Sequence, residues 1–500
     1  MESKISRRLA EATAPEVCEH VYGPRLGRDF PAVFSHLTDI NQAHLLMLLR
    51  AGLMPREAAR TLAAALLRIE ADGVDAVPLD PAIEDAYFNY EAHLMRVAGP
   101  HAGGSLHVAR SRNDILATID RMRAREALLR LMAAGTRACT SALDNALAYI
   151  ETVMPGYTHL QPAQPITYGY YLLGVTEAFS RDVDRIASAL PELQRCPLGA
   201  GALAGTAFPI EQQQAARLLG FLDVVPNALD AVASRDYALA LMSAFAIAGA
   251  SASRVAQDYF VWCTPEFGLI DFPDSVAGTS SIMPQKKNPV VLEALKGKGG
   301  HLTGLLMSAL ATVKGVNFTH TGDGNRESMR SFFEAADECL RVYALIELVL
   351  RTAAPDAALM LERARGDFCT ATDLADALVR ERGLSFREAH HVVGAVVRAA
   401  MQSGLAAHQI SSAMVDRASL AQIGRELNLG DDAVRRSLDP AVTTFERRHG
   451  GGPAPAQVRR RAEALRDVAV RRIEAMRAEQ DRLTTARAAL KSEIRSVAAG

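Results

Sequence analysis

Between Ile115 and Ile150 the apolar residues Met122, Leu129 and Leu143 fall at multiples of seven from Ile115, with Ile119 and Leu147 flanking the same stripe. No proline interrupts the run, which is long enough for more than about nine helical turns. A helix of that length cannot hide such a stripe by itself, so it needs partner helices in a bundle or an oligomer. Similar long patterns run from Tyr168 to Leu190, from Ala228 to Phe260 and from Val290 to Val313, while alternating strand patterns are few and short. The expected class is all-α with a long central helix bundle. At 500 residues the chain exceeds one compact core. Three units are expected: an N-terminal helical domain over 1–108, with shorter patterns broken by Pro55, Pro78 and Pro81; the bundle over 109–365; and a C-terminal helical domain over 366–500.

Composition narrows the function classes. Apolar residues make up 49% and charged residues 22%, and the formal net charge is −2, so no overall basic field points to nucleic acid. The N-terminus MESKISRRLAEA lacks a signal peptide's apolar stretch, and no apolar run is read as long enough to span a bilayer, so a cytoplasmic protein is expected. The cysteines Cys18, Cys139, Cys196, Cys263, Cys339 and Cys369 form no CxxC pair. His390 and His391 are adjacent, so they diverge by about 100° on a helix and cannot share a metal from one face. Neither a G-x-G-x-x-G nor a P-loop is present, and no metal or organic cofactor is expected. The Arg/Ala/Glu-rich tail from Gln457 reads as a solvated or subunit-packing helix, because acidic residues interleave with its basic ones.

Three polar segments interrupt the helical chain. LHVARSRND (106–114) precedes the longest helix; helix-start N–H groups with arginine suit a carboxylate, while Asn113 or Asp114 could equally serve only as the N-cap. MPGYTHLQPAQP (154–165) is held non-helical by Pro155, Gly156, Pro162 and Pro165 and presents Thr158 and His159, a histidine that is structural or catalytic. DSVAGTSSIMPQKKNPVVLEAL (274–295) combines Gly278, Thr279, Ser280 and Ser281 with Lys286, Lys287 and Asn288, and Asn288-Pro289 reads as an N-cap followed by proline at N1. It is either a surface turn or a loop holding an activated serine beside cationic and amide groups.

TSSIMPQKKNP (279–289) resembles the G-S-S-x-M-P-x-K-x-N signature of the fumarase/aspartase superfamily, with Thr279 in place of the glycine. RSRND (110–114) and MPGYTHLQPAQP are similar to the argininosuccinate lyase branch, as are PLGAGALAGTAF (197–208) and SFREAHHVVG (385–394). The resemblance spans roughly residues 80–465 in order. It implies a three-domain fold whose long helices form a twenty-helix core in a homotetramer, with each active site composed from three subunits. It implies cleavage of an N-substituted aspartate to fumarate and an amine, by anti elimination through an aci-carboxylate, with no cofactor. Ser280 takes the role of base. Lys286 and Asn288 stabilise the intermediate. His159 pairs with Glu293 as proton donor or orienting relay. Ser111, Arg112, Asn113 and Thr158, with Ser281, Met283 and Asn325, contact substrate.

The departures concern the amine end. No W-G-G-R-F-like or acidic N-D-S-L-like segment occurs in residues 1–38. The family's Y-N-K-D-x-Q-E-D segment falls on His320 to Glu327, so His320, Gly322 and Asn325 replace its tyrosine, lysine and glutamine, and its H-T-G-R is here His107-Val108-Ala109-Arg110. The favoured expectation is a non-arginine N-succinyl amine such as an ethylenediamine-disuccinate-type aminocarboxylate. Argininosuccinate itself is the alternative, and a silent crystallin-like structural protein is the alternative of another class, against which Ser280 and His159 are both retained.

Overall fold

The computed structural model describes residues 11–500, so the first part of the N-terminal segment read for a signal lies outside the described residues. The N-terminal unit is built from α1 (Gly23–Arg50), α2 (Arg56–Asp72) and α3 (Ala86–Ala98), which close on a core containing Leu37, Leu62, Leu66 and Tyr90. Five long helices follow: α4 (Arg112–Ala148), α5 (Tyr168–Ala187), α6 (Asp236–Trp262), α7 (Val290–Val313) and α8 (Ser328–Thr352). They pack along one another as α4 on α5 and α8, and α6 on α7 and α8, around a shared apolar core. A C-terminal unit of α9 (Ala371–Arg382), α10 (Phe386–Gln402), α11 (Ser412–Ile423) and α12 (Asp431–Leu438) has a separate core around Leu378, Val392 and Val415. The last helix, α13 (Pro455–Ala499), is the longest, at roughly 68 Å. The class is all-α, with a hairpin of β1 (Val153–Thr158) and β2 (Gln161–Thr167) as its longest strands.

One open expectation is decided and two change. The stripe on α4 is covered within one chain: Ile115, Met122, Leu143 and Ile150 are all buried, Leu129 and Leu147 partly so. Its N-terminal part joins the N-terminal core, and Leu143 and Ile150 pack with Val458, Ala462 and Leu465 of α13. That last helix is therefore an internal strap. It leaves the 366–500 segment, runs along the bundle, and ends with Leu490 and Ile494 in the N-terminal core, so packing crosses the boundaries drawn at 108 and 365.

Next, the run read from Ala228 to Phe260 breaks into Ala228–Ala233 and α6. Ser234 is extended there, and the buried Arg235 donates to the carbonyls of Val232 and Ser234 and to Asp120 Oδ2 (3.1 Å). The freed carbonyls accept from Nη1 of the guanidinium, acceptors that an unbroken helix would keep in its own ladder. Finally, α6 is by length and composition apolar enough to cross a membrane. Here it is a bundle helix with half of that apolar stretch buried, and Leu241, Phe245, Ala252 and Tyr259 lie against the shared core.

Candidate active site

The N-terminus of α4 is a rigid polar corner. Ser111 is the N-cap, in place of the Asn113 or Asp114 expected, and forms a capping box with Asp114. Asp114 is fully buried; one oxygen accepts from Ser111 N–H (3.0 Å) and the other from the N–H groups of Gly199 and Gly201 (2.9 Å each). Burial nonetheless pushes its carboxyl up to about 6, against those three backbone donors. Gly199 and Gly201 have φ of +96° and +62°, and a Cβ on either would meet Gln212 or the Gly205 carbonyl at under 3 Å. PLGAGALAG is thereby locked against RSRND, and Asn113 Nδ2 donates to Ala202 O (3.1 Å) as part of that contact. Arg112 is held by two carboxylates, Glu84 (2.8 Å) and Asp85 (3.2 Å). Glu84 adopts φ +75°, a left-handed backbone that a non-glycine residue adopts only under tertiary constraint.

The second segment is the β1–β2 hairpin. Thr158 pairs with Gln161, so His159 and Leu160 form a two-residue turn, both at φ +57°. Two left-handed residues make a type I′ turn, usually Asn-Gly, and each non-glycine there costs about 1–3 kcal/mol. The strain holds Thr158, His159 and Leu160 out in solvent, Leu160 at 66% exposure. Arg447 steadies the base of the hairpin, donating to Pro165 O (2.7 Å) while paired with Asp373.

The third segment is closed at its base by reciprocal backbone bonds between Gly278 and Asn288 (2.8 Å each). Ser280 Oγ accepts from the N–H groups of Met283 (3.0 Å) and Ile282 (3.4 Å). Donors on a hydroxyl oxygen favour its deprotonated form, as in an oxyanion site. Asn288 Nδ2 donates to Thr279 O (3.1 Å), shaping the loop. The two lysines differ: Lys287 is paired with Asp271 (3.0 Å) and Asp274 (3.4 Å), whereas Lys286 has no ion pair among the described residues. Ser281, Met283 and Lys286 are exposed, as is Ile282 at 83%. The cap of α7 falls at Pro289, one residue after the Asn288 expected, because Asn288 is spent closing the loop.

No hydrogen bond or ion pair among the described residues links these three segments, and His159 and Glu293 are both exposed and unjoined. Asn325 lies in a π-helical turn, Asp323–Glu327, at the start of α8. It is buried, its Nδ2 bonded to Val232 O (3.2 Å) and to the His320 ring (3.0 Å).

A family model described as lyase matches residues 38–304, and one described as argininosuccinate lyase C-terminal matches 368–443. Argininosuccinate lyase 1 of Shouchella clausii is 40% identical over 92% of both chains. Argininosuccinate lyase of Methanothermobacter thermautotrophicus is 37% identical over 87% of this chain and 92% of its own. The chain belongs to the argininosuccinate lyase family. Among solved structures it is similar to EDDS lyase in complex with formate, at TM-score 0.87 and 30% identity over 98% of this chain and 96% of that one. A variant of EDDS lyase with bound fumarate gives a TM-score of 0.86 at the same identity. Fumarate lyase from Mesorhizobium, at 21% identity and TM-score 0.70, shares the fold.

For this argininosuccinate lyase family member, sequence reasoning missed Glu84 and Asp85 as partners of Arg112, Asp114 as the anchor of the glycine loop, and Arg235 beside Asn325. Asp114 had a local signal, lying three residues after a serine ahead of an apolar run. The others bring together residues 27 to 90 positions apart, and no local pattern reports that.

Proposed function

We propose that the protein cleaves an N-substituted aspartate to fumarate and an amine. Ser280 takes the Cβ proton; the C–H electron pair moves onto the adjacent carboxylate to give the aci form, and its return expels the nitrogen with the C–N pair. Lys286, Asn288 and the loop N–H groups hold the added negative charge, which is larger in the intermediate than in substrate. His159, paired with Glu293 of another protomer, delivers or relays the proton to the departing amine. Ser111, Arg112, Asn113 and Thr158 grip the succinyl carboxylates, with Ser281, Met283 and Asn325 lining the site. The observation that carries this reading is Ser280 itself: two N–H groups aimed at its oxygen on a pinned loop that also carries Lys286, a lysine with no ion pair among the described residues.

A homotetramer with composite sites completes the proposal. No hydrogen bond or ion pair among the described residues joins Ser280, His159 and the α4 corner, which supports a site completed by other copies. An exposed face of α7 suits such packing: Gly297, Gly300 and Gly304 have open space above them, beside exposed Val290, Met307 and Leu310. Small residues let helices approach closely, and the neighbouring apolar surface needs cover.

For the amine, the favoured reading is a non-arginine N-succinyl compound of the ethylenediamine-disuccinate type, supported by His320, Gly322 and Asn325 at the amine end. Argininosuccinate is the second reading, favoured by the names of the 37–40% identical relatives. Fumarate absorbance followed over both compounds decides between them. A higher kcat/KM for argininosuccinate overturns the first reading, and no fumarate from any N-substituted aspartate overturns the reaction class.

A further inference from the structure

Where the base of the β1–β2 hairpin meets the C-terminal unit, a cavity of about 410 Å³ opens between β2, α9 and the turn that leads into α13. Gln164 and Ile166 line it from the hairpin, Arg380 from α9, and Arg447, Arg448 and His449 from the turn. Small-molecule sites fall in the range of about 300–1,000 Å³, which this volume meets. Ile166, Tyr170 and Gly452 also line a larger trough of about 1010 Å³ along α5 and α6, whose walls add Arg181 and Arg254.

The charges on these walls do not balance. Among the described residues Glu446 is the one carboxylate on the smaller cavity, and it is paired with Arg436 (3.1 Å). Arg447 is spent on Asp373 (2.7 and 2.8 Å) and on Pro165 O (2.7 Å). Arg380 and Arg448 are exposed, with neither an ion pair nor a side-chain hydrogen bond among the described residues, and the exposed His449 ring is likewise unbonded there. In the trough Glu177 is paired with Arg461, and Asp258 accepts from Tyr171 Oη (2.8 Å). Arg181 and Arg254 have no such partner among the described residues. Cations gathered on a concave wall attract an anion and concentrate it there.

A fixed turn presents two of these groups. Gly450 and Gly451 take φ of +61° and +73°, and a Cβ on Gly452 would collide with the Arg447 carbonyl. The Gly452 N–H donates to His449 O (3.0 Å), closing the turn. Glycine follows that path without strain, so the backbone itself places Arg448 and His449.

We propose that the smaller cavity binds a small phosphate monoester, its phosphate held by Arg380, Arg448 and His449 and its organic part lying against Ile166, Tyr170 and Pro453. A phosphate monoester carries a charge of about −1.5 to −2 and three acceptor oxygens, enough for two guanidinium forks and a ring N–H together. A carboxylate offers one charge and two oxygens. The ligand would tie β2, α9 and the approach to α13 to one another. The cavity contains none of the residues given a role in the lyase reading, so the two stand or fall separately.

The test is calorimetric titration of the full-length protein with phenyl phosphate, with and without excess succinate to fill a dicarboxylate site. Phenyl phosphate is expected to saturate one site per chain in both conditions, about 10-fold tighter than inorganic phosphate or benzoate. Arg380→Gln and Arg448→Gln should each weaken it by about 10-fold or more. Both residues are exposed, so these variants should fold as the parent does. Amide exchange over 161–167 and 447–454 should slow with phenyl phosphate bound. Absence of binding, displacement by succinate, or undiminished affinity in both variants overturns the site, as does unchanged exchange in those segments. Inorganic phosphate binding as tightly as phenyl phosphate overturns the monoester, and benzoate doing so overturns phosphate as the class.

Discussion

The α4 corner and the 274–289 loop are opposite kinds of construction. At the corner three polar side chains are committed: Asp114 to three backbone N–H groups, Arg112 to two carboxylates, Asn113 to a carbonyl. On the loop one backbone pair closes the base, while Lys286, Ser281 and Met283 face solvent. A site that must recognise carboxylates benefits from groups fixed before substrate arrives. A site that must move a proton and shelter a carbanion benefits from a segment that other surfaces complete. Under the function proposed above, the chain separates recognition, built into its core, from chemistry, offered at its surface.

The sharpest way to break that contrast is Ser280→Ala. Turnover should fall by ~10²–10⁴, with the unfolding midpoint unchanged because Ser280 supports no core packing. Near-normal turnover in the folded variant removes Ser280 from the role of base.

If corner and loop work together only across protomers, two inactive variants should rescue each other. Arg112→Ala and Ser280→Ala, unfolded and refolded as a mixture, should regain activity that neither has alone, since some mixed assemblies hold a site with both residues intact. A mixture that stays silent, or an active species of 53.8 kDa by light scattering, counts against composite sites.

The corner should fail in the reverse manner from the loop. Asp114→Ala leaves the N–H groups of Ser111, Gly199 and Gly201 without acceptors and should cost about 2–4 kcal/mol of stability. Denaturant melts would show it as a lower midpoint at unchanged slope. A melt like the parent's would mean the glycine loop is held by something else.

The smallest expected effect is on pH. His320 titrates near 4 when folded, below its ordinary value of 6.5, chiefly through burial and then through Arg235, Arg326 and Arg112. Between those values the unfolded chain binds the extra proton, so this residue's contribution to stability is lost as pH falls from about 6.5 towards 4. His320→Gln should flatten the acid side of the stability curve, and an unchanged slope there would show that the imidazole does not titrate in this window.

What could be read from the sequence follows the range of the interactions. Helix α7 begins and ends at the residues where its pattern does, Val290 and Val313, because apolar spacing and a preceding proline are local signals. RSRND was legible as a helix start for the same reason, although the cap is Ser111. The strap formed by α13 was not, because its Arg/Ala/Glu pattern states only that one face is apolar. Whether that face meets another subunit or residues 143–150 is decided more than 300 positions away. Arg235 looked like one more residue on a long helix, and only the Asp120 carboxylate across the fold makes a break there favourable.

The strap also sets an order of events at birth. Lys491 Nζ donates to Asp39 Oδ1 at 2.6 Å across 452 positions of sequence, and Leu490 and Ile494 fill the core of a unit made first. At a synthesis rate of about 5–20 residues per second, that N-terminal core waits roughly 20–90 s for its last apolar contacts. During that interval the groove later filled by the strap is open, with Leu143 and Ile150 uncovered. Losing the final two turns would remove Ile494 from that core and leave the earliest-made unit permanently unfinished.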